Sequence, residues 1–376
     1  NYPIRKERIK MQWMSALMLI LMFVPLLASL AFMPYLTRET VSFGVSVSEE
    51  QYRSEPLRRM RKQYAVLSCA IYTALLLFCI AGMLSVEGNG QGGVFAIFVT
   101  VMIVVSILLN ISFYFRMKKI RPTLPSVQAH KALLAVDTGF HRQKLTFSGR
   151  WFLIHVLIIA VSAAIMLMNY EAVPDPVAMK FDFAGNVVSS AAKSYRVVLF
   201  PSVMQAIMTL LFWFVNWSIQ KSKQQIHAGN PEQSVRQNAA FRRRWSLFTI
   251  LSSLALVFMF SFIQVNMLHP LDTNIVTLVS LIVPVFIVLF AMVLSVATGQ
   301  GGSRLGRSAE ASAAAPLNDD RYWKLGAFYF NPQDPSVFVE KRSGIGWTLN
   351  FANPVGWFVL AGIAAVIIGS SLFFKN

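Results

Sequence analysis

Eight stretches of the chain, each close to the length of a membrane span, are almost purely apolar. They are Trp13–Leu36, Tyr64–Val86, Val94–Phe115, Trp151–Met168, Val197–Ile219, Trp245–Met267, Ile275–Val296 and Val355–Phe374. In hydrocarbon a backbone N–H or C=O finds no water, so a spanning segment must be a helix or part of a closed barrel. A helix crosses the apolar slab in about 20 residues. Barrel strands would be about half as long and would alternate in polarity, and these runs do neither. The expectation is an all-α, polytopic integral membrane protein of about eight transmembrane helices, with a small ordered element before the last helix. Composition agrees. Hydrophobic residues make up 55% and charged residues 14% of the 376, against roughly 25% charged in soluble domains. A soluble enzyme, a disordered chain and a disulfide-stapled module are excluded.

Many run ends carry an aromatic ring, as at Trp13, Tyr35, Tyr64, Trp151, Tyr170, Tyr195, Trp245 and Trp357. Such rings prefer headgroup depth. With eight spans both termini share a side, and Lys and Arg decide which. The loops 37–63, 116–150, 220–244 and 297–354 hold 26 of the 34 basic residues. Those loops are expected in the cytoplasm and both termini outside. Arg5, Lys6, Arg8 and Lys10 run against this orientation, as if the natural start lay nearer Met11 or further sequence preceded Asn1. The +17 charge is spread over four membrane-flanking loops. That fits an anionic leaflet better than nucleic acid, which needs one basic patch.

The chain divides into a three-span segment at 1–116, a membrane core at 117–296, a Gly/Ser/Ala-rich linker at 297–317, an aromatic and basic element at 318–353, and the last span at 354–376. The glycine-rich stretch 87–93 reads as a flexible turn, and the linker as mobile. Asn230-Pro231-Glu232-Gln233 carries helix-start chemistry, and that helix is expected to run through Arg242, Arg243 and Arg244 into the sixth span. The three arginines either anchor it at the leaflet or dock a partner. In the aromatic element, Phe328–Phe330 and Val337–Val339 are expected to pair across the Asn331–Pro335 turn. Its docking candidates are Arg321, Tyr322, Trp323, Lys324, Asn331, Asp334, Lys341, Arg342, Trp347 and Asn350. They would meet a cytoplasmic partner or anionic lipid, or else plug the inner face of the bundle.

No span holds Asp, Glu, Lys or Arg at its centre, whereas ion-coupled transporters place ionisable groups near the midplane. His155 stands alone and is expected to be a satisfied core or cavity residue. Cys69 and Cys79 lie about 15 Å apart along one helix and cannot bridge. The chain has no His-Glu-x-x-His run, phosphate loop or Gly-x-Ser-x-Gly elbow. No catalytic centre, metal or cofactor is expected.

Between the fourth and fifth runs the chain reads Val173-Pro174-Asp175-Pro176-Val177-Ala178-Met179-Lys180-Phe181-Asp182-Phe183-Ala184-Gly185-Asn186-Val187, with Lys193 beyond. This resembles a bacterial domain of unknown function shared with the Sdp toxin-immunity proteins. Where that pattern often has His, this chain has Lys180 or Asp182. The stretch from Asp319 to Phe351 looks like a second uncharacterised domain often found in the same chains, and Val136–Phe140 and Asn230–Glu232 support the likeness. The resemblance implies a plasma-membrane protein, mainly of Gram-positive bacteria. Its characterised relatives protect against a secreted membrane-active peptide and signal by holding a repressor at the membrane. From the residues themselves, Asp175, Pro176, Lys180, Phe181, Asp182, Gly185 and Lys193 form the outer recognition candidate, with carboxylates for a cationic peptide and rings for apolar contact. The competing reading of that loop is structural. The function expected is non-enzymatic sensing of, or immunity to, such peptides, with relay to a cytoplasmic regulator. The alternative is an accessory subunit of a membrane transport or other complex.

Overall fold

A computed structural model describes residues 2–86, 89–124, 144–181, 187–224, 231–306 and 319–375. The elements run α1 Tyr2–Ala31, α2 Met33–Leu36, β1 Val41–Ser42, β2 Val45–Ser46, α3 Glu49–Arg53, α4 Glu55–Ser85 and α5 Asn89–Ile120. Next come α6 Phe152–Met168, β3 Val177–Phe181, β4 Val187–Ala191, α7 Tyr195–Val198, α8 Phe200–Lys221, α9 Pro231–Leu268 and α10 Thr273–Thr298. The chain closes with β5 Trp323–Lys324, β6 Phe328–Tyr329, β7 Phe338–Glu340, β8 Trp347–Leu349 and α11 Pro354–Lys375.

Six helical segments among the described residues are long and apolar enough to cross a membrane: Glu55–Ser85, Gly90–Thr123, Gly149–Met168, Phe200–Lys221, Pro231–Leu268 and Ile275–Gly302. Leu19–Ala31 and Pro354–Val366, within the first and last apolar runs, are shorter apolar helices. The protein is largely helical, but an all-α description needs amending. Four two-stranded antiparallel hairpins sit at the ends of the bundle.

The bundle has two lobes. In one, α4 packs on α1 and α5; in the other, α9 packs on α6, α8 and α10, and α1 also meets α10. The first lobe is filled by Leu19, Phe23, Tyr64, Tyr72, Leu76, Phe98 and Phe113, among others. The end of the bundle holding α2, α3 and residues 319–353 also carries most of the basic side chains, and is called here the basic end. The β3–β4 hairpin marks the opposite end.

Two expectations about flexible glycine stretches are corrected. Residues 89–93 are the first turn of α5 rather than a loop. The start of the presumed linker is an ordered turn at Gln300–Gly302, buried at the basic end; residues 307–318 lie outside the described set. Glycine is required here. Gly302 has φ +82°, and a Cβ on it would strike the Gln237 carbonyl of α9.

The expected pairing of Phe328–Phe330 with Val337–Val339 does not form. β5 pairs with β6 through Trp323↔Tyr329, and β7 pairs with β8 through Phe338↔Leu349. The cause is the Asn331–Pro335 segment. Asn350 reaches into it, its Oδ1 accepting from Asn331 N at 3.0 Å and its Nδ2 donating to the carbonyls of Asn331 and Asp334 at 3.0 Å. The two hairpins are thereby joined side by side, with a bridge between Tyr329 and Asn350.

Candidate functional site

At the basic end one carboxylate gathers three other parts of the chain. Glu340, on β7, is 1% exposed. Its Oε2 pairs with Arg38, from the segment before β1. Its Oε1 accepts from Asn238 Nδ2 of α9 at 2.5 Å and lies 3.9 Å from Arg242 Nη2. Gly301 lies so close over the pair that a Cβ there would strike the Arg38 guanidinium. Gln300 joins in through its carbonyl, 3.4 Å from Arg38 Nε, and its side chain exchanges two hydrogen bonds with Gly346 at 2.8 and 2.9 Å.

Arg242 has a second role. Its guanidinium donates to the carbonyls of Ile219 at 2.8 Å and of Ser222 and Lys223 at 3.0 Å. These lie at the C-terminus of α8, where carbonyls lose their helical partners and a cation meets the negative end of the helix dipole. Lys223 N continues the link by donating to Phe338 O of β7 at 2.8 Å.

Two further ion clusters hold the aromatic element. Arg342 pairs with Asp319 and Asp320, stacks on Trp323, and donates to Gly44 O of the β1–β2 turn at 3.0 Å. Arg121, just past α5, meets Asp320 at 2.6 Å. Burial raises the Asp320 pKa, but the Arg342 guanidinium outweighs it and holds that carboxyl below its ordinary range. Asp334 behaves alike: burial is outweighed by Lys223 Nζ at 2.6 Å and by hydrogen bonds from the Ser336 backbone N–H and the Ser336 and Tyr329 side chains. Tyr329 donates to Asp334 at 2.9 Å, and burial pushes its hydroxyl well above the usual phenol range.

The structure therefore divides the docking candidates. Arg242 is internal, so the three arginines are not one surface patch. Trp323, Asn331, Asp334, Arg342 and Asn350 are also buried, as parts of the interlock. Arg243, Arg244, Arg321, Lys324 and Lys341 are exposed, Tyr322 is half-buried, and Trp347 is half-buried with its ring 5.4 Å from Phe241. Arg38, Asn238, Gln300, Gly301 and Glu340 were missed. Their partners lie up to 302 positions away in sequence. The one available signal was Glu340 itself, an acid directly after the apolar Val337–Val339 run.

At the opposite end, Asp175 and Lys193 serve the loop itself. Asp175 Oδ1 accepts from Lys193 N at 3.0 Å. Lys193 Nζ donates to Val173 O at 3.1 Å and lies 5.1 Å over the Tyr170 ring, which stacks on Tyr195. Pro176 is exposed, as are Lys180 and Phe181 at the far end of β3. Asp182 and Gly185 lie outside the described residues. Beneath the hairpin, Val173 and Val177 pack with Met166 of α6, Val198 of α7, and Met267 and Leu268 at the end of α9.

α9 therefore touches both ends. Its 38 residues extend about 57 Å at 1.5 Å per residue. Between the ends it shares a polar seam with α6 and α8. Ser246 donates to Asn216 at 2.5 Å, His155 Nε2 lies 3.3 Å from Ile250 O, and Gln205 Nε2 donates to Val257 O and Ser261 Oγ. Ser162 also meets Ser261 at 2.8 Å, and Gln264 donates to Ser202 at 2.7 Å. Interhelical bonds of this kind are worth about 0.6 kcal/mol each on average. Among the described residues no three His, Cys, Asp or Glu side chains converge as metal ligands.

Residues 332–357 match a family model described as a family of unknown function, DUF5808. The match starts in the Asn331–Pro335 turn, takes in β7, Glu340, Arg342 and β8, and ends in the first turn of α11. No curated protein and no solved structure matches the chain.

Proposed function

We propose that the chain is a non-enzymatic, multi-pass protein of the plasma membrane, with eight spans and both termini outside. It would sense, or give immunity to, a secreted membrane-active peptide, as in the Sdp-immunity-like proteins it resembles. The β3–β4 hairpin meets the peptide outside and the basic end meets a regulator in the cytoplasm.

The observation that carries this reading is the reach of α9. One helix ends in the apolar cluster under the hairpin and begins in the Glu340 interlock. A peptide can shift the bundle only by binding one arrangement more tightly than another. A polar seam of individually weak bonds makes a second arrangement of α9 against α6 and α8 accessible, and the interlock is where that change is read.

The test is depolarisation of cells with and without the protein, challenged with a panel of secreted amphipathic peptides. Protection against one peptide, lost on Lys180→Gln with Phe181→Ser, supports the reading. A second reading, an accessory subunit, is favoured by α11, which is absent from the close helix–helix packing among the described residues. A stoichiometric subunit that co-purifies, with no protection against any peptide, would decide for it.

A further inference from the structure

The β5–β6 hairpin has two unlike faces. Trp323 and Tyr329 point into the element, where they pack with Val339. The side chains between them point the other way. Lys324 and Phe328 are cross-strand partners, and Phe330 follows Phe328 at the next same-face position. All three are exposed, Phe328 at 47% and Phe330 at 45%. Leu325, in the turn, is exposed too.

Two depth markers fix where this face lies. The turn at Gly326 sits against Tyr114 of α5, with only 2.8 Å from a Cβ placed there to the Tyr114 ring. Tyr114 stands at the end of the apolar run of α5. At the other side the Phe328 ring meets Phe351 at 5.5 Å, and Phe351 meets Trp357 of α11 at 5.9 Å. Trp357 lies in the first turn of α11, where an amphipathic ring marks the membrane–water boundary. The hairpin therefore bridges the ends of two apolar helices, the place where the aromatic rings of a spanning helix sit at headgroup level. Lys324 sits beside Phe328 on this face and donates to Arg321 O at 3.3 Å, while the exposed Arg321 guanidinium lies over the neighbouring Tyr322 ring.

We propose that the exposed face of the β5–β6 hairpin is a binding surface for anionic lipid, with Phe328, Phe330 and Leu325 entering the leaflet at the basic end while Lys324 and Arg321 meet the acidic headgroups. The rings supply apolar burial and the cations supply charge complementarity, the two contributions that hold peripheral elements at a bilayer. The inference rests on the bundle crossing a membrane and not on any peptide ligand.

The test uses the full chain, one copy per nanodisc, in phosphatidylcholine alone or with added phosphatidylglycerol. F328C in a Cys69→Ser, Cys79→Ser background carries an environment-sensitive fluorophore, and the same label at Gln333→Cys, on the exposed turn, is the control. The expected result is quenching by lipid-attached nitroxide at position 328 and by aqueous iodide at 333. Anionic lipid should raise the ratio of lipid-inserted to water-exposed label at 328 by about fivefold per basic residue engaged, an increment lost in Arg321→Gln with Lys324→Gln. Equal iodide access at both positions in both lipids would overturn the proposal. So would a label at 328 shielded from both quenchers, because a protein surface would then cover the face. Amide exchange over 323–330 in the unlabelled wild-type protein gives the same comparison without the cysteine changes: slower exchange with anionic lipid supports the proposal, and no difference contradicts it.

Discussion

The carboxylate of Glu340 and the guanidinium of Arg242 stand 3.9 Å apart in the interior of the basic end, and neither side chain touches solvent. Arg38 closes the carboxylate from the other side. One acid thus holds two buried cations contributed by segments about 200 residues apart in sequence, before β1 and within α9. Removing one partner of a buried pair costs about 3–5 kcal/mol, because the remaining charge is left desolvated. Glu340→Gln leaves two such charges. It is expected to lower the unfolding midpoint in detergent sharply and to release residues 319–353 from the bundle. An unchanged midpoint would contradict the interlock.

Gly302→Ala separates an ordered turn from a mobile linker. The new Cβ meets a backbone carbonyl of α9, which cannot swing away, and the residue must keep φ +82°. A loss of about 1–3 kcal/mol is expected, by strain at a special backbone position. Gly362→Ala in α11, where a Cβ meets nothing within 4 Å, is the control and should be neutral or mildly stabilising. Thermal unfolding of the two variants side by side gives the answer.

Asp320 and Asp334 give the basic end a defined acid limit. Both carboxyls lie below their ordinary value when folded. The stability they add is fully present above the unfolded carboxylate pKa, about 3.9, and is lost as pH falls through the lower folded values. Amide exchange over 319–353 should stay slow from neutral pH to about pH 4 and then accelerate relative to the helices. Asp320→Asn with Asp334→Asn should lower protection at neutral pH and flatten the acid response.

In the β3–β4 region, stability and recognition should separate. Lys193→Met removes the bonds to Glu171 O and Val173 O and the contact with the Tyr170 ring. It should cost about 1 kcal/mol or more. Lys180→Gln and Phe181→Ser lie on the exposed end of β3 and should leave stability within about 0.5 kcal/mol while abolishing peptide protection. Loss of stability in all three variants would make the loop merely structural.

The helices were legible because spanning hydrocarbon forces long apolar runs: six of the eight runs fall in helices long and apolar enough to cross a membrane, and the first and last coincide with shorter apolar helices. The α9 start was legible too, from Pro231 and the residues that follow it. The interlock was not. Arg38 and Asn238 carry no local pattern, and Glu340 only its place directly after the apolar Val337–Val339 run, since each is an ordinary polar residue until folding joins distant segments. Arg242 was misplaced for the same reason. Beside Arg243 and Arg244 it reads as one of three surface cations, but 3.6-residue periodicity turns it inward onto the carbonyls of α8. The β5–β6 pairing was missed because Pro332 and Pro335 looked like an ordinary hairpin turn, whereas the Asn350 side chain organises that segment from outside.

The most direct test of the relay is amide exchange in the reconstituted protein, with the peptide panel added at the β3–β4 end. A protective peptide is expected to slow exchange in the hairpin and to alter it at the start of α9 and over Phe338–Leu349, and Lys180→Gln with Phe181→Ser to remove both effects. Protection confined to the hairpin, with α9 and the Glu340 interlock unchanged, would contradict the relay.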